Sequence, residues 1–126
     1  MQNPKNLLVS ERALQLTIET YRLTRGFPPD ERFGLAIQMR RAAVSVGSNI
    51  AEAYGRGSDR EFVAFLQIAM GSASELRFQI ELAKALEFAT SDHAASADDF
   101  VNEVMRMLSR LIVAVKARGK RAQKGS

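Results

Sequence analysis

The sequence predicts an all-α protein built as an up-down-up-down four-helix bundle, and three observations lead to this prediction. Cap and turn signals divide the 126 residues into four long segments joined by short connections. Apolar residues recur at helical spacing in each segment, and no stretch alternates apolar and polar residues as a strand does. The three prolines, Pro4, Pro28 and Pro29, lie outside the segments, where they cannot break a helix.

The ends of the segments follow from local chemistry. Gly26 and the Pro28-Pro29 pair end the first helix, because glycine accepts a left-handed backbone and proline cannot continue a helix. Ser58 and Glu61 form a Ser-x-x-Glu capping box that opens the third helix. The expected helices span about residues 10–25, 30–56 and 58–88, and the fourth begins between 92 and 98 and ends at about 118.

Each helix should bury the face on which its apolar residues align at about 100° per residue. For the first helix, the pattern predicts a buried stripe of Leu14, Thr17, Ile18 and Tyr21. The stripes of the other three helices are Leu35, Met39, Ala42, Val46, Ile50 and Ala53; Phe62, Phe65, Leu66, Ala69, Ala73, Leu76, Ile80 and Ala83; and Val101, Val104, Leu108, Leu111, Ile112 and Val115. Four such stripes joined by short loops form one bundle core.

Two helices have a second apolar stripe, and the second helix has a strip of small residues where another backbone can approach. These extra features are Leu16 and Leu23 on the first helix; Ile68, Gly71, Glu75, Phe78, Leu82 and Leu86 on the third; and Ala36, Ala43, Gly47 and Ala51 on the second. A helix that is apolar on two sides is buried on two sides, so we predict a homo-oligomer. The alternative is that these are the scattered exposed apolar residues of an ordinary surface.

The residue inventory argues against an enzyme. The chain has no Cys, and His93 is its single histidine, which excludes thiolate and histidine metal clusters and most nucleophile–base pairs. Glu52, Glu61 and Glu75 lack the Glu-x-x-His pairs of di-iron bundles. We therefore predict no catalytic residue, no metal and no other cofactor, although a carboxylate-based enzyme stays open as a third alternative.

Four polar residues fall near the faces where the second and third helices should meet. Asn49 and Glu52 lie about one turn apart on the second helix, and Ser72 and Glu75 do so on the third. We interpret them as a hydrogen-bonded layer that fixes helix register and contributes more to specificity than to stability.

Charge is distributed unevenly along the chain. Seven of the 18 bases and none of the 14 acids follow residue 103, so eleven bases and 14 acids give residues 1–103 a net charge of −3. We expect residues 1–118 to form the bundle and residues 119–126 a basic flexible tail. Such asymmetry favours an anionic partner, nucleic acid ahead of a membrane surface, although a tail kept only for solubility fits as well.

Residues 27–88 contain an ordered series of short motifs, namely Phe27-Pro28, Glu31-Arg32-Phe33-Gly34-Leu35, Gln38, Arg40-Arg41-Ala42, Ser45, Ser48-Asn49-Ile50-Ala51-Glu52, Glu61-Phe62, Phe65-Leu66, Ala69, Gly71-Ser72 and Glu75-Leu76. In these motifs the segment resembles the four-helix-bundle proteins encoded in intervening sequences of bacterial 23S rRNA genes. Ala53 and Met70 depart from the family pattern, which often has Gly and Arg there. The resemblance implies five-fold rings of bundles and kinship with the accessory variability determinant of diversity-generating retroelements, which binds nucleic acid and a reverse transcriptase. No catalytic residue carries over.

These observations together predict a non-enzymatic homo-oligomer, with a pentamer as the specific expectation, that binds RNA or DNA non-specifically through basic surfaces. The predicted binding residues are Arg106, Arg110, Lys120, Arg121 and Lys124, which fall on the side of the fourth helix opposite its apolar stripe, and Lys116 and Arg118, which flank that side. Arg40 and Arg41 extend the surface on the second helix, unless Glu31, Glu52 or neighbouring subunits neutralise them. The alternative is a protein-binding adaptor that docks a larger partner on its apolar stripes. No apolar run reaches the roughly 20 residues of a membrane span and the N-terminus lacks a signal-peptide pattern, so we expect a cytoplasmic protein with no membrane partner.

Overall fold

The computed structural model describes the backbone of residues 4–124 and the side chains of residues 8–121. It contains four α-helices, α1 (Pro4–Arg25), α2 (Leu35–Tyr54), α3 (Asp59–Ala85) and α4 (Ser91–Lys124), and one short 3₁₀ helix, Pro29–Glu31. Within residues 4–124 there is no strand, so the predicted all-α four-helix bundle is confirmed. Both α1 and α3 pack against α2 and α4, which places α1 and α3 on one diagonal of the bundle and α2 and α4 on the other.

Helix α2 begins five residues later than predicted because two local features interrupt the backbone. Pro29 starts the 3₁₀ turn, and Gly34, which precedes α2, has a non-helical ψ of −116°. The carboxylate of Glu31 then accepts a hydrogen bond from the Leu35 amide at 3.2 Å and satisfies one of the free N–H groups at the start of α2. A Cβ at Gly34 would lie 2.7 Å from that carboxylate, so glycine makes room for this cap.

Helix α3 begins as predicted and ends three residues early. The Ser58 hydroxyl accepts from the Glu61 amide at 3.2 Å, which is the first half of the expected capping box. At the other end, Glu87 adopts a left-handed backbone with φ of 59°, and the Phe88 amide donates to the Ala83 carbonyl at 3.0 Å. This is the hydrogen-bond pattern of a Schellman cap, here formed without glycine.

Helix α4 is longer than predicted, because it continues past residue 118 and through Gly119 to Lys124. A glycine inside a helix costs only about 1 kcal/mol relative to alanine, and the neighbouring Ala117 and Lys120 favour the helix. The expectation that residues 119–126 form a separate flexible tail stays a prediction.

The core confirms the predicted faces of α2, α3 and α4. Their central stripe residues, including Met39, Leu76 and Leu108, are fully buried, while Phe62, Phe65, Leu111 and Ile112 pack at its margin.

The predicted face of α1 is wrong. Leu14 is 61% exposed, Ile18 42% and Tyr21 38%, whereas Leu16 and Leu23, placed on a second stripe from the sequence, are buried. The true core face includes Thr20, which is fully buried. Its hydroxyl can be buried because it donates a hydrogen bond to the Leu16 carbonyl at 2.8 Å. The apolar periodicity predicted the wrong face because α1 has buried threonines on its core side and large apolar residues on its outer side.

The small residues of α2 serve packing within the chain. A Cβ placed at Gly47 would lie 4.0 Å from the Cβ of Ala13, and the Thr17 hydroxyl donates to the Ala43 carbonyl at 3.3 Å. The backbone that approaches this strip is therefore α1, whereas Ala51, the last member of the strip, is exposed. None of the described helices has an apolar stretch that would reach across a membrane.

Candidate nucleic-acid interface

The basic residues of α4 form a stripe on the side opposite the core. Arg106, Arg110, Lys120 and Arg121 are all exposed, and on the other side of the same helix Val104 and Leu108 are completely buried. The helix continues in phase through this segment, so the four side chains lie within about a quarter turn of its outermost line. We call these four residues the α4 basic stripe.

The remaining predicted bases of α4 differ in their surroundings. Lys116 is exposed beside the stripe. Arg118 binds Asp59 in the first turn of α3, with its Nη2 2.8 Å and its Nε 3.3 Å from the two carboxylate oxygens. This ion pair joins the end of α4 to the start of α3 and leaves Arg118 less free to neutralise a phosphate. The side chain of Lys124 lies outside the described residues.

A groove of about 610 Å³ runs between the start of α1 and α4, below the first half of the basic stripe. Its apolar lining includes Leu8, Met107 and Leu111, and Arg106 and Arg110 flank it. Glu103 also lines the groove, but its carboxylate accepts from Arg12 Nε at 2.8 Å and is thereby neutralised. Arg106 and Arg110 are the remaining charged side chains of its lining, which favours an anionic ligand here.

Arg40 and Arg41 lie away from α4, on the diagonal helix α2. The Arg40 Nε donates to the Thr24 hydroxyl at 2.8 Å, and its guanidinium lies 4.6 Å from the centre of the Tyr21 ring. The sequence left open that Glu31 or Glu52 neutralises the two arginines. Glu31 instead binds the Leu35 amide, and Glu52 binds Arg56 at 2.7 Å.

The two arginines belong to a concavity that the sequence did not predict. It has a volume of about 400 Å³ between α1 and α2 and is lined by Tyr21, Arg32, Phe33, Ile37, Arg40, Arg41 and Val44. Phe33 is 82% exposed, the largest exposure among the large apolar side chains described, and the Arg32 guanidinium lies 5.5 Å from its ring centre. We call this concavity the arginine–aromatic pocket. The adjacent Arg32-Phe33 pair before Gly34 could have indicated this pocket in the sequence, but the pair was predicted to lie inside the second helix.

The predicted polar layer contains fewer residues than expected. The hydroxyls of Ser45 and Ser72 are 2.8 Å apart, and Asn49 Nδ2 donates to the Ser45 carbonyl at 2.8 Å and to its hydroxyl at 3.1 Å. Glu52 and Glu75 are exposed and do not join this layer, which corrects the four-residue prediction. Ser45, which links the other two residues, was missed although it lies one turn before Asn49, a spacing like that of the predicted members.

Two side-chain polar atoms are buried in the described part of the chain without a hydrogen-bond partner. One is the hydroxyl of Tyr54, whose ring lies edge-on to Phe62 at 5.0 Å between centres. Burial raises the pKa of Tyr54 to about 12, since the interior disfavours the phenolate. The other atom is Oε1 of Gln79, whose Nε2 donates to Glu75 at 3.4 Å. Residues 8–121 include no cluster of metal-ligating side chains.

Comparison with known proteins places the fold among relatives without a described activity. A crystal structure of a protein of unknown function from the S23 ribosomal protein family of Bacteroides thetaiotaomicron matches with a TM-score of 0.79 and 26% identity, covering 86% of this chain and 97% of that chain. A search of curated proteins gave no significant match. The family model described as 23S rRNA-intervening sequence protein matches residues 5–110, which include all of α2 and α3 and most of α1 and α4. The chain belongs to the 23S rRNA-intervening sequence protein family.

Proposed function

We propose that this protein is a non-enzymatic, homo-oligomeric bundle of the cytoplasm that binds RNA or DNA with little sequence preference. The observation that supports it best is the α4 basic stripe, where four cations project from one helix face and form no ion pair with any described residue. Flexible cations without aromatic residues between them neutralise phosphates and do not read bases. A larger protein partner, such as an enzyme acting on the nucleic acid, is compatible with this role.

Self-association is supported by the outer face of α3. Ile68, Phe78 and Leu86 are 51%, 67% and 49% exposed and lie on the side of α3 away from the core. Large apolar side chains aligned along one helix are typical of a surface that another protein covers. In a ring, with a pentamer expected from the family resemblance, the α4 basic stripe repeats once per subunit. Several weak stripes that engage one polyanion then act at a high effective concentration.

Charge neutralisation tests the stripe. Arg106→Gln/Arg110→Gln should weaken binding to an RNA duplex and to a single strand alike. Binding then releases fewer counterions, so the slope of log affinity against log salt should flatten by about two for each subunit that contacts the nucleic acid. Arg60→Gln/Arg77→Gln removes two exposed bases from α3 and is the matched control, for which we expect the slope of the unsubstituted protein. Point substitutions are preferable to truncation after Val115, which would also remove the Arg118–Asp59 ion pair.

If the two double variants had the same slope of log affinity against log salt, the α4 basic stripe would not take part in nucleic-acid binding. Absence of binding by the unsubstituted protein would favour the second candidate, a protein-binding adaptor, which the exposed stripe of α3 also supports. Docking of apolar surfaces should persist at high salt, whereas binding through phosphates should weaken steeply. The salt titration therefore separates the two candidates.

A further inference from the structure

The arginine–aromatic pocket combines three features on one surface. Three guanidinium groups, those of Arg32, Arg40 and Arg41, converge on it, and no acidic residue lines it. Its apolar lining includes Ile37 and Val44. Its rim carries Phe33, almost fully exposed at the joint between the 3₁₀ helix and α2.

The exposed phenyl ring of Phe33 lies beside arginine side chains and offers a stacking surface. An exposed phenylalanine forgoes about 2 kcal/mol of burial. The Arg32 guanidinium lies over the ring, 5.5 Å from its centre, and the side chain is still 82% exposed. A flat π surface beside free cations is what a nucleic-acid base and its phosphates require, because any base can stack on an aromatic ring while arginine neutralises the backbone.

Two arginines of the pocket keep their charge available, and contacts hold one of them in position. Arg40 donates from Nε to the neutral Thr24 hydroxyl and stacks on Tyr21, so the guanidinium is oriented without being neutralised. Arg41 is exposed and forms no ion pair with a described residue. Since planar guanidinium groups recognise phosphate oxygens in a bidentate manner, the pair suits a phosphodiester that follows a stacked base.

We propose that the arginine–aromatic pocket binds single-stranded nucleic acid, with one unpaired base stacked on Phe33 and the adjacent phosphates bound by Arg40 and Arg41. A base in a duplex is stacked on its neighbours and has no free face, so the pocket selects single strands. This inference rests on the proposed nucleic-acid function and extends it, since the α4 basic stripe does not distinguish strandedness.

The geometry separates the two surfaces. The pocket lies between α1 and α2 and the stripe on α4, and α2 and α4 are diagonal in the bundle. The pocket is also close to the last turns of α1 and the start of α2, whereas Arg118 marks the opposite end of the bundle through its contact with the start of α3. Substitutions in the pocket should therefore leave the stripe unaffected.

The test uses two substitutions of Phe33 in the full chain. Phe33→Leu keeps an apolar side chain but removes the π surface, and Phe33→Tyr keeps the aromatic ring. The probes are an oligoadenylate that contains a fluorescent adenine analogue, whose emission falls on stacking, and the duplex of the same strand. We expect Phe33→Leu to weaken single-strand binding about tenfold and to abolish the fall in emission. Phe33→Tyr should behave as the unsubstituted protein, and duplex affinity should be the same for all three.

Arg41→Gln and Arg41→Lys complete the design. The glutamine variant should lose single-strand affinity, and the lysine variant should recover part of it because it restores the charge without the planar fork. The Arg106→Gln/Arg110→Gln protein serves as the reference for the α4 basic stripe, since it should lose affinity equally for the single-stranded probe and for the duplex.

The outcomes are distinguishable. Unchanged single-strand affinity in Phe33→Leu, with binding otherwise intact, overturns this inference and leaves the proposed function in place. A change in oligomeric mass in Phe33→Leu with unchanged oligoadenylate affinity assigns the pocket to a contact between protein chains and also overturns it. Failure of the unsubstituted protein to bind either probe contradicts the proposed function itself.

Discussion

The orientation of α1 can be tested by truncating two leucines that lie two residues apart. Leu16 is completely buried and Leu14 is 61% exposed, although both have the same side chain and lie in the middle of the same helix. Leu16→Ala removes buried methyl groups and leaves a cavity in the core, which costs about 2–5 kcal/mol of unfolding free energy. Leu14→Ala removes mostly solvated surface and should change the unfolding free energy by about 0.5 kcal/mol or less.

Urea unfolding followed by circular dichroism measures both values. The experiment should be run at several protein concentrations, because association of folded chains adds to the apparent stability and an exposed leucine is a candidate contact between subunits. The two variants are compared by the part of the unfolding free energy that does not depend on protein concentration. The m-values of the two variants should agree, which shows that the same surface is exposed on unfolding.

The opposite ranking would refute the reasoning. If Leu14→Ala were the more damaging substitution at every concentration, α1 would be rotated by about half a turn and the periodicity of its large apolar residues would have been the better guide. Similar losses from both would mean that α1 is buried on two sides within one chain.

Two further predictions concern other parts of the bundle. Ile68 is half exposed, so Ile68→Glu should lower the mass measured by light scattering while the circular dichroism spectrum stays helical. Leu76 is fully buried, so Leu76→Glu should unfold the chain. A mass of one chain for the unsubstituted protein at micromolar concentration would contradict the oligomer. The pKa of Tyr54 is about 12 in the folded chain, against 10.0 for the free side chain. Between pH 10 and pH 12 the phenol therefore ionises in the unfolded chain but not in the folded one, so the free energy of unfolding falls as the pH rises through this range. Tyr54→Phe should remove that part of the pH dependence in alkaline urea titrations and leave neutral stability unchanged or higher, since the hydroxyl has no partner among described residues; an unchanged alkaline slope contradicts this.

The site shows where sequence reasoning succeeded and failed. The positions of Arg106, Arg110, Lys120 and Arg121 on the outer side of α4 were predicted because phase within one helix is a local property. The arginine–aromatic pocket was missed because Tyr21, Phe33 and Arg41 lie far apart in sequence and meet only after α1 and α2 pack. Likewise, Glu52 was assigned to the polar layer because spacing alone does not show that Arg56, one turn later, binds it.

The sequence by itself determined the fold class, the number of helices and the buried faces of three of them. These properties depend on short-range signals, namely the Ser58 cap, the prolines after α1 and the helical period of large apolar residues. Only the tertiary structure decided which face of α1 is buried. Leu14 and Leu16 are equally apolar, and the choice between them depends on which backbone α1 meets. The small Ala43 and Gly47 of α2 receive Ala13 and Thr17, and buried threonines can bond to their own helix, so the closest packing, and not the largest stripe, determines the orientation of α1.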